Sequence, residues 1–313
     1  MFRFIRNIII TVVLIVSIFA GLFCVGQLVP YQYDKAYTGI LRVKYEANKK
    51  RTEPGIIFVG GSNLALGLDT EKISKTFKTP AYNFGFHAGL KRDFYLNAIK
   101  ANILEGDVIV LIFEYSAYIE DLMTEHVTWN SIDNDMDLIK CVPASNVFNL
   151  YRYYPIYLFK KISDTMFNPH PIPDNGGYNV DCFNEYGDDV YERYENIRTP
   201  EEVKNSAYTV ISTDIMSDEG LEALKEFREY CESIGAKVYA SCPSIDRLGV
   251  KELQDNGVSF KKRYEEKTGI KMISEPSDYI LDTEYFYDTD YHLNLTGVEL
   301  RTNLLIEDLK TVL

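Results

Sequence analysis

The stretch PGIIFVGGSNLALGLD, residues 54–69, decides the fold class of this chain. Its apolar run, residues 56–59, is typical of a buried β-strand, and it ends at two glycines that are followed at once by Ser62. Such a turn presents a side chain at the carboxyl edge of a strand, where open α/β sheets build their sites. We therefore predict an α/β fold with Ser62 as a nucleophile.

Further strands and helices alternate along the chain, which indicates a mostly parallel sheet of about five strands with helical connections. The other four strands are predicted at residues 81–84, 108–113, 237–241 and 271–273. The third of the five, residues 108–113, is a continuous apolar run of the kind found in buried parallel sheets. Helices are predicted at residues 69–77, 87–104, 146–162, 218–234, 249–268 and 295–313.

The regular alternation stops after the third strand. Residues 114–209 are rich in Tyr, Asn, Asp and Pro, with one helix expected at 146–162. Because a long segment of this kind inside a domain is usually functional, we interpret it as a lid or substrate-binding insertion. The predicted domain therefore spans residues 54–313 and carries the insertion 114–209.

The N-terminus carries a membrane segment. Residues 8–29 are almost uninterrupted in apolar character, and about 20 such residues span a bilayer. The run is longer than the apolar core of a cleaved signal, and no small-x-small cleavage site follows it. We predict an uncleaved transmembrane anchor within residues 1–30 and a helical or extended stalk at 31–53. The basic residues on its two sides are nearly balanced, but a short basic tail before one apolar run is usual for exported, anchored proteins, so the body is expected outside the cell.

Charge and cysteine content exclude several classes of function. The formal net charge of −13 argues against nucleic acid and against an anionic membrane surface as partners. No two of the five cysteines have CxxC spacing, so a zinc site is not expected. The four cysteines beyond the anchor are either buried thiols or disulfide partners, with three possible pairings.

Polar residues follow each of the first three predicted strands. They are Ser62 after the first, Asn83 and Gly85 after the second, and Glu114 and Tyr115 after the third. Because the carboxyl ends of parallel strands lie at one edge of an open sheet, we expect these residues to converge.

A serine nucleophile needs a base to take its proton and a carboxylate to orient that base. His292, just before the last predicted helix, is the candidate base. The carboxylate is Asp288 or Asp290. A helical turn makes residues four apart neighbours and favours Asp288, whereas an extended segment leaves both on the face of the histidine.

Three blocks of this chain resemble those of the SGNH (GDSL-type) hydrolase family: GGSN at 60–63, NFG at 83–85 and DTDYHLN at 288–294. The resemblance covers most of residues 54–313 and implies a three-layer α/β/α sandwich that hydrolyses or transfers acyl esters. Within the family, the chain looks most similar to membrane-anchored cell-envelope branches, those of teichoic-acid D-alanylation and polysaccharide O-acetylation. That chemistry implies no metal and no cofactor.

Two positions depart from the family pattern. Many members have an aspartate three residues before the histidine, and here Thr289 occupies that position. The third block usually supplies a glycine and an asparagine to the oxyanion, and here Glu114 and Tyr115 stand there. By resemblance, the oxyanion hole would then rest on backbone N–H groups at Ser62 and Gly85. The side chains of Asn63 and Asn83 are the candidates to assist them.

Two functions are consistent with this sequence. The first is an extracellular, membrane-anchored serine esterase or acyltransferase that acts on O-acetyl or D-alanyl esters of a cell-surface glycopolymer. The second is a catalytically weak or inactive accessory protein that partners a polytopic membrane acyltransferase. The missing asparagine block and the Tyr-rich insertion motivate the second function.

Overall fold

A computed structural model describes residues 1–119, 122–171 and 177–313. The predicted insertion 114–209 therefore includes residues 120–121 and 172–176, which lie outside the described residues. Nine strands form within the described part: β1 Ile56–Gly60, β2 Ala81–Gly85, β3 Val108–Ile112, β4 Thr209–Ile211, β5 Lys237–Ala240, β6 Ile245–Asp246, β7 Val250–Leu253, β8 Lys271–Met272 and β9 Ile280–Leu281.

Twelve α-helices form in the same described residues. They are α1 Phe2–Leu28, α2 Ile40–Lys50, α3 Ser62–Ala65, α4 Thr70–Phe77, α5 Arg92–Ile99, α6 Glu125–Ile132, α7 Met136–Ile139, α8 Ala144–Phe167, α9 Pro200–Asn205, α10 Asp218–Ile234, α11 Val258–Thr268 and α12 Leu295–Leu309.

The main sheet has five strands in the order β2-β1-β3-β5-β8, and every neighbouring pair is parallel. This confirms the predicted α/β class and the mostly parallel five-stranded sheet. The strands β4 and β7 pair with each other, as do β6 and β9, in two separate two-stranded sheets.

Alternate residues of each central strand enter different cores, because successive strand side chains point to opposite faces. Ile57 and Val59 belong to the larger core, with side chains of α5, α8 and α10. Ile56 and Phe58 belong to the smaller core, with Leu305 of α12 and Ile73 of α4. Helices thus cover both faces of the sheet, in a three-layer α/β/α arrangement.

The N-terminal helix α1 is long and apolar enough to cross a membrane, with a mean hydropathy of 3.0 over its most apolar part. None of that part is buried inside the protein, whereas Gly26 near the end of the helix is buried. The Lys161 ammonium donates to the carbonyl of Gly26 at 3.0 Å, and the Gln27 amide donates to the carbonyl of Asn134 at 3.1 Å.

The segment 31–53, for which the sequence predicts a stalk, packs against the domain instead. Its side chains Leu41 and Tyr45 are buried in the larger core. At its end, the Arg51 guanidinium makes two hydrogen bonds, of 2.9 and 2.8 Å, to the carboxylate of Asp107. The stalk prediction overlooked that this segment carries enough apolar surface to be buried.

Two predicted helices are shorter in the structure because residues with positive φ interrupt them. The helix expected at 87–104 is reduced to a 3-10 turn and α5, because Lys91 between them has φ +66°. The helix expected at 249–268 begins only at Val258, because Asn256 and Gly257 both have positive φ. The insertion holds α6, α7 and α9 in addition to the expected helix. Of these, α6 contributes the fully buried Trp129 to the larger core.

The Arg51–Asp107 pair supplies a test of this packing. Arg51→Met leaves the carboxylate of Asp107 buried without its cation, and we expect the free energy of unfolding to fall by about 3–5 kcal/mol. Denaturant unfolding of the full chain in detergent measures this. Lys75→Met, which removes a solvent-exposed partner of Glu71, is the matched control and should leave stability nearly unchanged. An equal effect of both variants would contradict the buried role of Arg51.

Candidate active site

Ser62 lies where the sheet register brings three strand ends together. Gly60 of β1 is level with Gly85 of β2 and Ile112 of β3, so the residues that follow converge at this edge. A side chain at position 60 would come within 2.2 Å of the Ile112 carbonyl oxygen, which explains the glycine before the turn. The chain then turns directly into α3, whose first residue is Ser62.

Ser62, His292 and Asp288 form a continuous hydrogen-bonded chain. The Ser62 Oγ lies 2.8 Å from His292 Nε2, and His292 Nδ1 lies 2.9 Å from Asp288 Oδ1. Because a neutral imidazole has one donor and one acceptor nitrogen, Nε2 accepts from the serine and Nδ1 donates to the carboxylate. This is the arrangement of a nucleophile, a general base and an orienting acid.

Asp288, rather than Asp290, meets the histidine because the segment turns tightly. The Thr289 Oγ1 accepts hydrogen bonds from the backbone N–H groups of Tyr291 and His292, at 3.2 and 3.0 Å. This turn brings the side chain four residues before the histidine next to its ring. Asp290 instead forms a 2.6 Å ion pair with Arg198. The structure thus separates the two aspartates that the sequence left open.

Tyr178, from the insertion, also contacts this chain of groups. Its hydroxyl lies 2.5 Å from Asp288 Oδ2 and 2.9 Å from His292 Nδ1. Burial acts to raise the pKa of Asp288, but hydrogen bonds from His292 and Tyr178 outweigh it and hold the pKa below its ordinary value. The carboxylate therefore stays ionised, as an orienting acid must.

Asn83 and Gly85 are not free to hold an oxyanion, contrary to the prediction. The backbone N–H of Gly85 donates to Asn83 Oδ1 at 2.8 Å. The Asn83 amide in turn donates to the carbonyl of Leu64 at 2.9 Å and to Asp188 at 2.7 Å. Asn83 therefore ties the β2 end to α3 and to the insertion, and its groups are all engaged.

Asn63 and Tyr115 lie beside the serine turn. The Asn63 side chain is fully buried, and its amide donates to the carbonyl of Ile112 at 3.5 Å. The Tyr115 ring is buried against Phe260, with ring centroids 5.3 Å apart. The Ser62 N–H, as the first donor of its helix, has no acceptor within that helix.

Glu114 is the one predicted neighbour whose functional group reaches the nucleophile. Its Oε1 lies 3.4 Å from Ser62 Oγ, and the Asn63 backbone N–H donates to its carboxyl group. Burial raises the pKa of Glu114, and the opposing effects of His292 and of these hydrogen bonds do not cancel the increase.

Two cavities flank the site. The larger, of about 480 Å³, is lined by aromatic residues that include Tyr33, Tyr37, His87 and Tyr178. The smaller, of about 250 Å³, is lined by Tyr115, Ser116 and Tyr208 among others. The nucleophile itself is well shielded, since Ser62 and His292 are each 8% exposed.

Two residues of the site were missed by sequence reasoning. Tyr178 is one of 24 tyrosines in an irregular segment, and nothing in its spacing marks it as a partner of Asp288. Arg198 forms the hydrogen-bonded ion pair that holds Asp290, and the two residues are 92 positions apart in the sequence. Only the excess of tyrosine in the insertion pointed to this region.

Comparisons with known proteins do not assign this chain to a family. Neither a protein-family model nor a curated protein matches this chain. Among the described residues, no group of three or more His, Cys, Asp and Glu side chains is arranged to hold a metal ion.

Proposed function

We propose that this protein is a membrane-anchored serine esterase or acyltransferase of the SGNH type, which acts on acyl esters of a cell-surface glycopolymer. The single observation that carries the proposal is the hydrogen-bonded chain from Ser62 through His292 to Asp288. A structural serine needs no base, and a structural histidine needs no ionised carboxylate on its other nitrogen.

The geometry suits a two-step acyl transfer. Ser62 Oγ attacks the ester carbonyl carbon and gives its proton to His292 Nε2, while the carbonyl electron pair moves to the oxygen. Collapse of this intermediate breaks the bond to the alcohol, which takes the proton from His292. Water or an acceptor hydroxyl then attacks the acyl-serine and gives its proton to His292. Collapse of the second intermediate breaks the bond from the acyl group to Ser62 Oγ, which takes the proton back from His292. Asp288 stabilises the imidazolium in both steps.

The surroundings of the triad favour a sugar-bearing ester as the substrate. Ligand pockets are lined by aromatic side chains with a few polar groups, and the cavity beside Tyr178 has this character. The formal charge of −13 favours a polymer that is neutral or already masked by acyl groups over a polyanion.

A second function is favoured by one observation. Because Gly85 and Asn83 hydrogen-bond to each other and to the insertion, two expected oxyanion donors are engaged elsewhere. A site with a poor oxyanion hole fits an accessory protein that assists a polytopic membrane acyltransferase, and losing one such donor costs about 10²–10³ in rate. The two functions differ in whether Ser62 reacts.

Reaction with a fluorophosphonate tests the enzyme proposal without knowledge of the substrate. In detergent, the full chain should form a phosphonyl-serine, with loss of fluoride, and Ser62→Ala and His292→Ala should abolish it. Ser233→Ala and His126→Ala, which change exposed residues, are the matched controls and should react like wild type. Absence of reaction in wild type would favour the accessory function.

The same assay separates the two aspartates. Asp288→Asn should slow the reaction by about 10⁴, because the amide favours the wrong imidazole tautomer. Asp290→Asn breaks the ion pair with Arg198 and should affect stability more than the rate. Equal losses of rate in both variants would contradict the assignment of Asp288.

We also propose that the body lies outside the cell, in keeping with a surface polymer as substrate. Protease treatment of intact cells should then remove residues beyond α1, while the same treatment should spare a cytoplasmic control protein. A body that is digested only after the cells are lysed would contradict this placement.

A further inference from the structure

Glu114 lies where the register of the sheet places it, two residues beyond the end of β3 and next to the serine turn. Gly60 is level with Ile112, so Glu114 continues β3 to the height of Ser62. Its Oε1 lies 3.4 Å from Ser62 Oγ and would lie 3.0 Å from a Cβ atom added at Gly61. The carboxyl group is therefore packed directly over the turn that carries the nucleophile.

The Ser62 hydroxyl does little to hold Glu114 in its ionised form. The hydroxyl of Ser62 has one proton, and the 2.8 Å contact to His292 Nε2 uses it. The Ser62 Oγ is 3.4 Å from Glu114 Oε1, which is longer than an ordinary O–H···O hydrogen bond, so Ser62 is at best a weak donor to an ionised Glu114. A neutral carboxylic acid has a proton of its own to donate at this position.

Burial outweighs the groups around Glu114 that stabilise a negative charge, which include the Asn63 backbone N–H and His292. The titratable and charged groups that interact with it are His292, Lys91, Tyr37, Tyr208 and Tyr291. Within the described residues, it forms no salt bridge. Burial raises the pKa of Glu114, which increases the neutral fraction at any given pH.

We propose that neutral Glu114 donates a hydrogen bond to the oxyanion that forms during acyl transfer at Ser62. Glu114 and the Ser62 backbone N–H would then be the two donors to the oxyanion, in place of Asn83 and Gly85. A carboxylic acid kept neutral by an apolar site is a known way to build such a donor. This inference rests on the proposed serine chemistry.

The arrangement makes the site sensitive to pH. Below the raised pKa of Glu114, the acid is protonated and the donor is present. As the pH rises through that pKa, the donor is lost and a negative charge appears beside the developing oxyanion. Loss of this donor should therefore lower the rate of acyl transfer as the pH rises through the Glu114 pKa.

The pH dependence of fluorophosphonate reaction tests this in the full chain in detergent, after subtraction of the Ser62→Ala background. Relative to Glu114→Gln at the same pH, the wild-type rate constant should fall about tenfold for each pH unit above the Glu114 pKa, because the ratio removes pH effects that the two proteins share. Glu114→Gln keeps a neutral donor of nearly the same shape, so its profile should lack this fall. Glu114→Ala removes the donor. At pH values below the Glu114 pKa, it should react about 10²–10³ times more slowly than wild type.

Controls distinguish the possible failures. Glu105→Gln, an exposed glutamate just before β3, should have the wild-type profile. A fall that persists unchanged in Glu114→Gln, or an alanine variant as fast as wild type, would overturn the role of Glu114 while the serine chemistry stands. Absence of reaction in wild type at every pH would instead overturn the proposed function. Thermal melting shows whether each variant is folded. If Glu114→Ala does not fold, the pH profile of Glu114→Gln alone tests the role of Glu114.

Discussion

The hydrogen bond between Ser62 Oγ and His292 Nε2 joins residues 230 positions apart, and the site depends on it. Two buried arginines hold its ends together. The Arg301 guanidinium of α12 donates to the carbonyl of Asn63 at 2.6 Å, and Arg193 donates to the carbonyls of Leu293 and Leu66. Buried backbone carbonyls need donors, so these side chains fix the serine turn against the histidine loop. Ser62 and His292 are thus positioned by the core, not by flexible surface loops.

Local sequence patterns were enough to select Ser62 and His292 as candidates, whose side chains the fold brings within 2.8 Å of each other. A strand that ends in glycines and a histidine before the last helix are each visible within a few residues. Asp288 stayed open because its contact depends on a turn closed by Thr289. The oxyanion assignments to Asn83 and Gly85 failed for another reason. Asn83 is engaged by Asp188, 105 positions away, and no local pattern reveals such a contact. The same limit hid Tyr178.

The insertion accounts for most of what distinguishes this site. It supplies Tyr178 to the triad, Asp188 to the β2 end and Arg198 to the aspartate that the triad does not use. With these groups in place, Glu114 is left as the side chain that faces the nucleophile from the third strand. Under the proposed chemistry, Glu114 would serve where the resemblance leads one to expect an asparagine, since a neutral acid and an amide can donate the same hydrogen bond.

We infer that folding, and not the local sequence, makes Ser62 reactive. Peptide mapping after fluorophosphonate treatment checks this inference when native and urea-unfolded protein are compared under the same conditions. We expect one adduct, on Ser62, in the native protein and none on that residue after unfolding. An adduct on another serine, or equal modification of Ser62 in both states, would contradict it.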